Sequence, residues 1–206
     1  MRRWRWKQHE LICGLDEAGR GALAGPLIAA AVTLSQAAAV RLGRQKIIIK
    51  DGKLLTPGAR LKVYRALLRL NIIINVEVIS PRQINNRGIG RANKIIMRKL
   101  IKAVAADSYI VDGNLHLGRI KDRTTKIQSV VDADANILPT ILAGIVAKVV
   151  RDSQMRQLHR LFPAYGWNRN AGYGTPKHIR AIAKHGPSRF HRNVFVATAL
   201  RHHQAS

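Results

Sequence analysis

An apolar run that ends in two adjacent carboxylates constrains this chain more than any other feature. Residues 11–15 are apolar or small, and Asp16 and Glu17 follow them directly, just before the turn Gly19-Arg20-Gly21. The chain contains 36 Lys and Arg residues but only 11 Asp and Glu residues. Because so few acids serve the surface, two acids at the end of an apolar strand indicate a specific role, and a metal site is the first candidate.

The composition favours one main domain that binds a polyanion. A chain of 206 residues is long enough for one sizeable core, and its formal net charge of +25 favours nucleic acid as the partner. No apolar run of about 20 residues and no secretory signal pattern is evident, so we predict a soluble, cytoplasmic protein with no membrane partner. Cys13 is the only cysteine, which excludes an internal disulfide and predicts a buried strand residue. We expect a monomer.

Hydrophobic periodicity predicts alternating strands and helices, which is typical of an α/β layer fold. Thr56 and Pro57 together form a helix start, with a capping residue followed by proline at the first helical position. The predicted strands cover residues 11–16, 27–34, 72–79 and 109–111. The predicted helices cover residues 57–70, 95–104, 137–162 and 177–185, and Ala143, Gly144 and Ala147 in the third of them allow close approach to a neighbour.

Further acids fall at matching places on this map. Asp112 ends the fourth predicted strand, and Asp134 precedes the long helix. Together with Asp16 and Glu17 these residues make four carboxylates that can converge at one edge of the sheet. Successive strand residues point to opposite faces, so Asp16 and Glu17 can share a site only if the regular pleat stops there.

A cluster made only of carboxylates suits hard cations such as Mg²⁺ and Mn²⁺, which prefer oxygen ligands. Two such ions roughly 3.5 to 4 Å apart can promote in-line attack of water on a phosphodiester. The alternative is a solvated turn, which is the commoner role for an isolated Asp-Glu pair. Four other aspartates are interpreted as turn or helix-terminal residues. They are Asp51, Asp107, Asp122 and Asp152.

Several blocks of this chain, in order, resemble ribonuclease HII. The opening block runs from Gly14 to Gly21 as Gly-Leu-Asp-Glu-Ala-Gly-Arg-Gly and continues as Leu23-Ala24-Gly25-Pro26. The later blocks are Val111-Asp112-Gly113, Ala147-Lys148-Val149 with Arg151-Asp152, Gly172-Tyr173-Gly174-Thr175 with His178, and Gly186-Pro187-Ser188 with His191-Arg192. The resemblance spans nearly the whole chain, from Ile12 to Phe195.

This resemblance implies an RNase H-like fold, with a mixed central β-sheet flanked by helices and a small helical C-terminal extension. It implies a catalytic domain over residues 1–162 and a substrate-contacting segment over residues 163–206. The implied activity is cleavage of the RNA strand of RNA-DNA hybrids and nicking on the 5′ side of single ribonucleotides embedded in duplex DNA. Such a nick, made with two Mn²⁺ or Mg²⁺ ions, leaves a 3′-hydroxyl and a 5′-phosphate, as ribonucleotide excision repair requires.

The resemblance also implies roles for individual residues. Asp16, Glu17, Asp112 and Asp134 would be the catalytic and metal-binding carboxylates, with Asp16 shared between two ions and Asp112 holding one of them. The turn Gly19, Arg20 and Gly21 would read the ribose, whose 2′-hydroxyl both donates and accepts hydrogen bonds. Tyr173 would pack against the sugar at the RNA-DNA junction. Its alternative role, from the residues alone, is a loop aromatic that caps the core.

This sequence departs from the family pattern at two blocks. Asp132-Ala133-Asp134 stands where Lys-Gly-Asp is usual, so Asp132 either assists the metals or perturbs them. Asp51-Gly52-Lys53 is followed by two leucines where the family has Asp-Ser-Lys-Lys-Leu, so a hydroxyl and one lysine are missing. For His178 and His191, contact with the scissile region and a structural role both remain open.

Two other classes of protein are compatible with these residues. A Holliday-junction resolvase or a transposase-like nuclease could use the same fold and carboxylates on DNA. A noncatalytic ribosomal or chromatin protein would explain the positive charge, but it would give no role to acids at strand ends.

Overall fold

The structure is a computed structural model that describes residues 9–118, 120 and 126–204. The strands in these residues form one mixed sheet. They are β1 (Ile12–Ala18), β2 (Leu27–Leu34), β3 (Ile73–Ile79), β4 (Ser108–Asp112) and β5 (Lys126–Val130). Their order in the sheet is β3-β2-β1-β4-β5.

Helices occupy most of the connections between these strands and the C-terminal third of the chain. They are α1 (Gln36–Gly43), α2 (Pro57–Arg69), α3 (Pro81–Arg87), α4 (Ile89–Ala103), α5 (Ala133–Asn136), α6 (Leu138–Leu161), α7 (Trp167–Asn170), α8 (Pro176–His185) and α9 (Asn193–Gln204). Short 3₁₀ helices cover Gly52–Leu54 and Pro163–Tyr165. No helix in the described ranges has the length and apolar character that crossing a bilayer requires.

The predicted α/β architecture is confirmed, and the differences have local causes. β1 does not end at Asp16 as predicted but continues to Ala18. α4 begins at Ile89 rather than near residue 95, because Ala92 and Asn93, its first fully buried residues, are not large apolar markers. β5 was not predicted, because this edge strand is largely exposed and has no apolar alternation.

The parallel pairing of β1 with β4 aligns the two strands that end in acids. The register pairs Ile12 with Ser108 at one end and Leu15 with Val111 at the other. β4 pairs in parallel with β5 on its other side. Asp16 and Asp112 each follow the last paired residue of this register, so the sheet itself brings them side by side.

The described residues divide into two compact units. The first lies within residues 1–18, 29–77 and 94–149, and the second lies within residues 19–28, 78–93 and 150–206. The long helix α6 contributes its first half to the first unit and its second half to the second. The predicted domain boundary after residue 162 stays a prediction.

Each unit has its own core. Residues 29–34 of β2, which belong to the first unit, are all buried, and Cys13 is buried in β1, as predicted. In the second unit Tyr165 stacks on Trp167, with ring centroids 5.1 Å apart, and Met155 packs in the same cluster. Aromatic stacking of this kind adds to the stabilisation from buried apolar area. The second core also encloses polar side chains, which are described below.

Candidate carboxylate site and substrate loops

Asp16 and Asp112 are neighbours on adjacent parallel strands of the first unit. Each comes one residue after the last pair of the register, Leu15 with Val111. Neighbouring strands lie about 4.8 Å apart, and residues in register point to the same face of a sheet. The backbone therefore places both carboxylates on one face at the carboxyl ends of β1 and β4.

Asp134 joins these two carboxylates through the start of α5. Asp132, just before α5, has a left-handed backbone with φ 57°, which turns the chain into the helix. The backbone N–H of Asp134 then donates to Oδ1 of Asp112 over 3.0 Å. The side chain of Asp134 is only 10% exposed, and Oδ2 accepts a hydrogen bond from Nζ of Lys53 over 2.7 Å. Lys53 thus supplies one positive charge to the cluster.

The carboxylate of Asp16 lies in a tight pocket of the first unit. It is 8% exposed, and Oδ1 accepts the backbone N–H of Glu17 over 2.6 Å. A Cβ atom placed on Gly144 of α6 would lie 2.3 Å from Oδ2 of Asp16, which is closer than atoms pack. Gly144 is therefore the residue that leaves room for this carboxylate, which specifies the close helix approach expected of the small residues in α6.

Burial and like charges together disfavour the charged form of Asp16. Burial is the largest cause that raises its pKa well above the ordinary 3.8, and the charges of Glu17, Asp112 and Asp134 add to it. Burial also raises the pKa of Asp112. The hydrogen bond to Asp134 raises the pKa of Lys53. Crowded, partly desolvated carboxylates of this kind favour binding of a cation.

β1 continues through Asp16 and Glu17 to Ala18, so the strand does not end after Asp16. Asp16 is buried and Glu17 half-buried, yet the charge of Glu17 raises the pKa of Asp16, so the two carboxylates interact. Among residues 9–118, 120 and 126–204, no three His, Cys, Asp or Glu side chains are arranged so that they could hold a metal ion. The carboxylates therefore adjoin one another, as their effects on the pKa of Asp16 show, without converging on one point.

The other aspartates have varied surroundings. Asp51 accepts the N–H of Lys53 over 2.8 Å, which confirms its local role at a helix start. Asp107 instead accepts the N–H of Leu11, 96 residues away in sequence, over 2.8 Å. Asp152 lies inside α6, so its interpretation as a turn or helix-terminal residue is wrong. The side chain of Asp132 is exposed and makes no capping hydrogen bond. Asp122 lies outside the described residues.

The turn Gly19-Arg20-Gly21 belongs to the second unit, and its two glycines differ. Gly19 has φ +89°, and a Cβ atom there would lie 1.9 Å from Nε of Arg151. Its glycine is thus required by backbone conformation and packing within the protein. A Cβ atom on Gly21 would meet nothing within 4 Å, and the side chain of Arg20 is exposed. Gly21 and Arg20 therefore present an accessible surface to a ligand.

Arg151, in the second half of α6, ties two loops of the second unit together. Its side chain is fully buried. Its guanidinium donates to the backbone carbonyl oxygens of Pro26 at 3.0 Å, Ala171 at 2.8 Å and Ala24 at 3.1 Å. Burial lowers the pKa of Arg151. These bonds satisfy a buried charge with fixed backbone dipoles, which burial of a charge requires.

Arg192 fastens the same turn from another direction. It is fully buried and donates twice to the carbonyl oxygen of Gly25, at 3.1 and 2.9 Å, and once to that of Arg20, at 2.9 Å. Burial lowers its pKa to about 9. The sequence analysis gave neither arginine a role, because arginine is mostly exposed and only its place in a family block singled it out.

Tyr173 lies in the loop that Arg151 fastens. The side chain is half-buried, and the guanidinium carbon of Arg151 lies 5.2 Å from the centre of its ring. This geometry is that of a cation–π contact. By contrast, His178 and His191 are 0% and 1% exposed. Of their two open roles, this burial favours the structural one.

Comparison with known proteins identifies related sequences. The model of the family described as ribonuclease HII matches residues 13–198. Ribonuclease HII of Paraburkholderia xenovorans (strain LB400) is 33% identical over 195 residues, which cover 94% of this chain and 75% of the relative. Ribonuclease HII of Clostridium botulinum (strain ATCC 19397 / Type A) is 34% identical over 198 residues, which cover 95% of this chain and 71% of the relative.

Solved structures share the fold at lower sequence identity. The crystal structure of ribonuclease H2 from Pyrococcus horikoshii OT3 has a TM-score of 0.75 and 20% identity, and covers 95% of this chain and 100% of that one. Bst-RNase HIII, solved in complex with Mn²⁺, has a TM-score of 0.70 and 18% identity, and covers 96% of this chain and 71% of that one. These likenesses show the RNase H-like fold. With the family match over residues 13–198, they establish that this chain belongs to the ribonuclease HII family.

Proposed function

We propose that this ribonuclease nicks duplexes on the 5′ side of a ribonucleotide, including a single ribonucleotide embedded in DNA, and leaves a 3′-hydroxyl and a 5′-phosphate. Its family supports endoribonuclease activity on RNA-DNA hybrids. The observation that carries the finer proposal is the buried Asp16 beside Asp112 and Asp134, whose charges raise its pKa. An uncompensated acidic cluster suits a site that a cationic cofactor completes.

The donor set fits Mn²⁺ or Mg²⁺. It consists of carboxylate oxygens, which these hard cations prefer, and crowding of like charges raises the pKa of Asp16. Because these carboxylates adjoin one another without converging on one point, a bound ion would draw together the residues that would hold it, Asp16, Glu17, Asp112 and Asp134. Bound ions supply Lewis-acid chemistry, which lowers the pKa of water and neutralises charge on the phosphate and the leaving oxygen.

Hydrogen bonds from the backbone and from Lys53 hold the carboxylates of this cluster in place before any ligand binds. The N–H of Glu17 fixes one oxygen of Asp16, and the N–H of Asp134 fixes one oxygen of Asp112. The Lys53 ammonium, which is 78% exposed, neutralises part of the charge through Asp134. Because its side chain is long and exposed, Lys53 is free to exchange this carboxylate for a phosphate oxygen.

We assign recognition of the ribose to two loops of the second unit, the turn Gly19-Arg20-Gly21 and the loop that contains Tyr173. Arg20 and Gly21 are accessible, so the backbone and the guanidinium can approach a sugar and a phosphate. A 2′-hydroxyl is the group that distinguishes ribose from deoxyribose. Tyr173 would lie against that sugar, and the net charge of +25 would attract the duplex backbone.

A duplex with one embedded ribonucleotide tests the proposal directly. We expect a single nick on the 5′ side of the ribose when Mn²⁺ or Mg²⁺ is present, and none with EDTA. The same duplex with deoxyribose at that position is the matched control and should stay intact. Mapping both termini of the nick checks the predicted 3′-hydroxyl and 5′-phosphate.

Other results would contradict the proposal in recognisable ways. Cleavage of the all-DNA control, or of a DNA junction, would indicate a resolvase-like nuclease. Tight RNA binding that is insensitive to chelation, without cleavage, would indicate a noncatalytic binding protein. We also propose that the enzyme acts as a cytoplasmic monomer, which size-exclusion chromatography with light scattering and cell fractionation would check.

A further inference from the structure

Two buried histidines meet ring to ring in the second unit. His178 of α8 and His191 have Nε2 atoms 3.2 Å apart. Tyr165 and Trp167 pack against both rings, with the centroid of Tyr165 4.7 Å from that of His191. A direct contact between two imidazole nitrogens requires that one carries a proton and the other does not.

The partners of His178 determine its tautomer. The indole Nε1–H of Trp167 donates to Nε2 of His178 over 3.0 Å, so Nε2 is an acceptor without a proton. Nδ1 of His178 lies 2.9 Å from the carbonyl oxygen of Tyr173. A carbonyl oxygen can only accept, so Nδ1 carries the proton. His178 is therefore neutral, with one fixed donor and one fixed acceptor.

The partners of His191 complete the chain. The backbone N–H of Ser188 donates to Nδ1 of His191 over 2.9 Å, so this nitrogen carries no proton. Since Nε2 of His178 is also without a proton, Nε2–H of His191 is the donor across the 3.2 Å contact. Both rings are neutral and in opposite tautomers. The resulting relay runs from Ser188 through His191 and His178 to the Tyr173 carbonyl.

The relay ends at the residue that we assign to the ribose. The Tyr173 carbonyl accepts from Nδ1 of His178 and from the N–H of Thr175, at 2.9 and 2.8 Å. The Arg151 guanidinium lies against the ring of the same residue. The backbone and the ring of Tyr173 are thus fixed by two separate groups.

We propose that His178, with its tautomer set by His191, is a positioning residue that holds Tyr173 in the orientation needed to pack against the sugar of an embedded ribonucleotide. This inference rests on the proposed function of Tyr173. His178 itself is fully buried and acts only through Tyr173.

A histidine suits this position because one rigid ring donates at one nitrogen and accepts at the other. Protonation of His178 at Nε2 would place two N–H donors face to face across the Nε2 contact, and protonation of His191 at Nδ1 would do the same opposite the backbone N–H of Ser188. Burial lowers the pKa of both residues, that of His191 to about 4, so both remain neutral near pH 7. The relay is therefore intact near pH 7.

Two isosteric variants separate the two halves of His178. In His178→Gln the amide oxygen takes the place of Nε2, so it accepts from Trp167 and His191 but donates nothing to Tyr173. In His178→Asn the amide nitrogen takes the place of Nδ1, so it donates to Tyr173 but leaves the other two donors without an acceptor. Tyr173→Ala is the reference variant.

The readout is the ratio of kcat/KM for a duplex with one embedded ribonucleotide to that for an RNA-DNA hybrid of the same length, together with Tm. We expect His178→Gln to lower this ratio roughly tenfold to a hundredfold with little change in Tm, because a misplaced contact has effects of this size. We expect His178→Asn to lower Tm but keep the ratio within about threefold of wild type, because its bond to Tyr173 remains. A purely structural role would instead make ratio and Tm change together.

Failure of the proposed role of Tyr173 and failure of the positioning role of His178 give different results. If Tyr173→Ala leaves the ratio unchanged, the proposed role of Tyr173 is wrong. If Tyr173→Ala lowers the ratio but His178→Gln does not, or if both changes combined lower it further than Tyr173→Ala alone, the positioning role is overturned.

A measurement on the wild-type enzyme covers the case in which a variant fails to fold. NMR of ¹⁵N-histidine-labelled protein at pH 7 should show two neutral rings in opposite tautomers, protonated at Nδ1 in His178 and at Nε2 in His191. A charged ring, or the same tautomer in both residues, would overturn the relay.

Discussion

The two units of this enzyme bury polar side chains in opposite ways. In the first unit Asp16, Asp112 and Asp134 lie together, and burial, followed by the like charges around it, raises the pKa of Asp16. In the second unit Arg151 and Arg192 are fully buried, and burial and the charge of Arg151 lower the pKa of Arg192. Each of these arginines nevertheless donates three hydrogen bonds to backbone carbonyl oxygens. Backbone dipoles of the fold thus hold the arginines in place, whereas the carboxylates remain crowded against one another.

This difference indicates what each cluster is for. A buried charge that is fully hydrogen-bonded stabilises the arrangement of its partners, whereas crowded carboxylates destabilise the folded state until a cation arrives. Perturbed carboxylates concentrate at functional sites for this reason. The comparison therefore predicts that changes to the carboxylates of the first unit abolish activity at little cost in stability, and that changes to the buried arginines of the second unit mainly lower stability.

The largest expected effect is that of Asp16→Asn. We expect cleavage of the single-ribonucleotide duplex to fall by at least about 10³-fold, because catalytic groups that act as a unit have effects of this size. Stability without metal should rise at pH 7, since the raised pKa means that ionised Asp16 destabilises the fold. Single-turnover kinetics and urea unfolding measure the two quantities.

The matched control for this change is Asp107→Asn. Asp107 is an exposed carboxylate of the same unit, and an amide oxygen can still accept the N–H of Leu11. Wild-type activity is expected. Unchanged cleavage in Asp16→Asn would contradict the catalytic role of the carboxylates in the first unit.

The next effect is that of Arg151→Met, which should act on stability. The substitution removes the buried guanidinium together with its three hydrogen bonds. It leaves the carbonyl groups of Pro26, Ala24 and Ala171 without this donor. We expect the free energy of unfolding to fall by at least about 3 kcal/mol. Arg156→Met, at an exposed position of the same helix, should change it by less than about 0.5 kcal/mol. Equal losses in both variants would show that the hydrogen bonds to the loops contribute nothing.

Acid should weaken the second unit through its histidines. The pKa of His191 is lowered from 6.5 to about 4, so the unfolded chain takes up the proton first as the pH falls. Stability from this residue is therefore complete above pH 6.5 and is lost towards pH 4, by roughly 2 kcal/mol between pH 8 and pH 5. Urea unfolding at several pH values should show this slope in wild type, and a flatter one in His191→Gln.

The sequence predicted the first unit better than the second. β2, of which residues 29–34 belong to the first unit, was predicted to the residue, and Asp112 was placed correctly at the end of a strand, because apolar runs and the acids that follow them are local signals. Glu17 was the exception. Whether its carboxylate shares a site with that of Asp16 depends on whether the pleat of the strand breaks after Asp16. A glycine after a strand permits such a break without requiring one.

The buried cations of the second unit could not be predicted from local pattern. Arg151 bonds to Pro26, which is 125 residues away in sequence, and Arg192 bonds to Gly25, which is 167 residues away. Whether an arginine is buried depends on such distant carbonyl groups, and nothing in its own neighbourhood records them. The tautomers of His178 and His191 depend on equally distant donors.

The smallest expected effect concerns Gly144, where the sequence indicated close packing but not its partner. Alanine usually stabilises a helix interior by up to about 1 kcal/mol relative to glycine. At this position, however, the added methyl group would lie 2.3 Å from Oδ2 of Asp16, so the carboxylate must move. We expect Gly144→Ala to lower activity roughly tenfold, since small misplacements of reacting groups have such effects, while the free energy of unfolding changes by less than about 1 kcal/mol. Gly90→Ala in α4, where an added Cβ meets nothing within 4 Å, is the control and should keep full activity. Full activity in Gly144→Ala would mean that Asp16 works equally well from a shifted position, and the first unit would then be a looser acidic surface rather than a site with defined geometry.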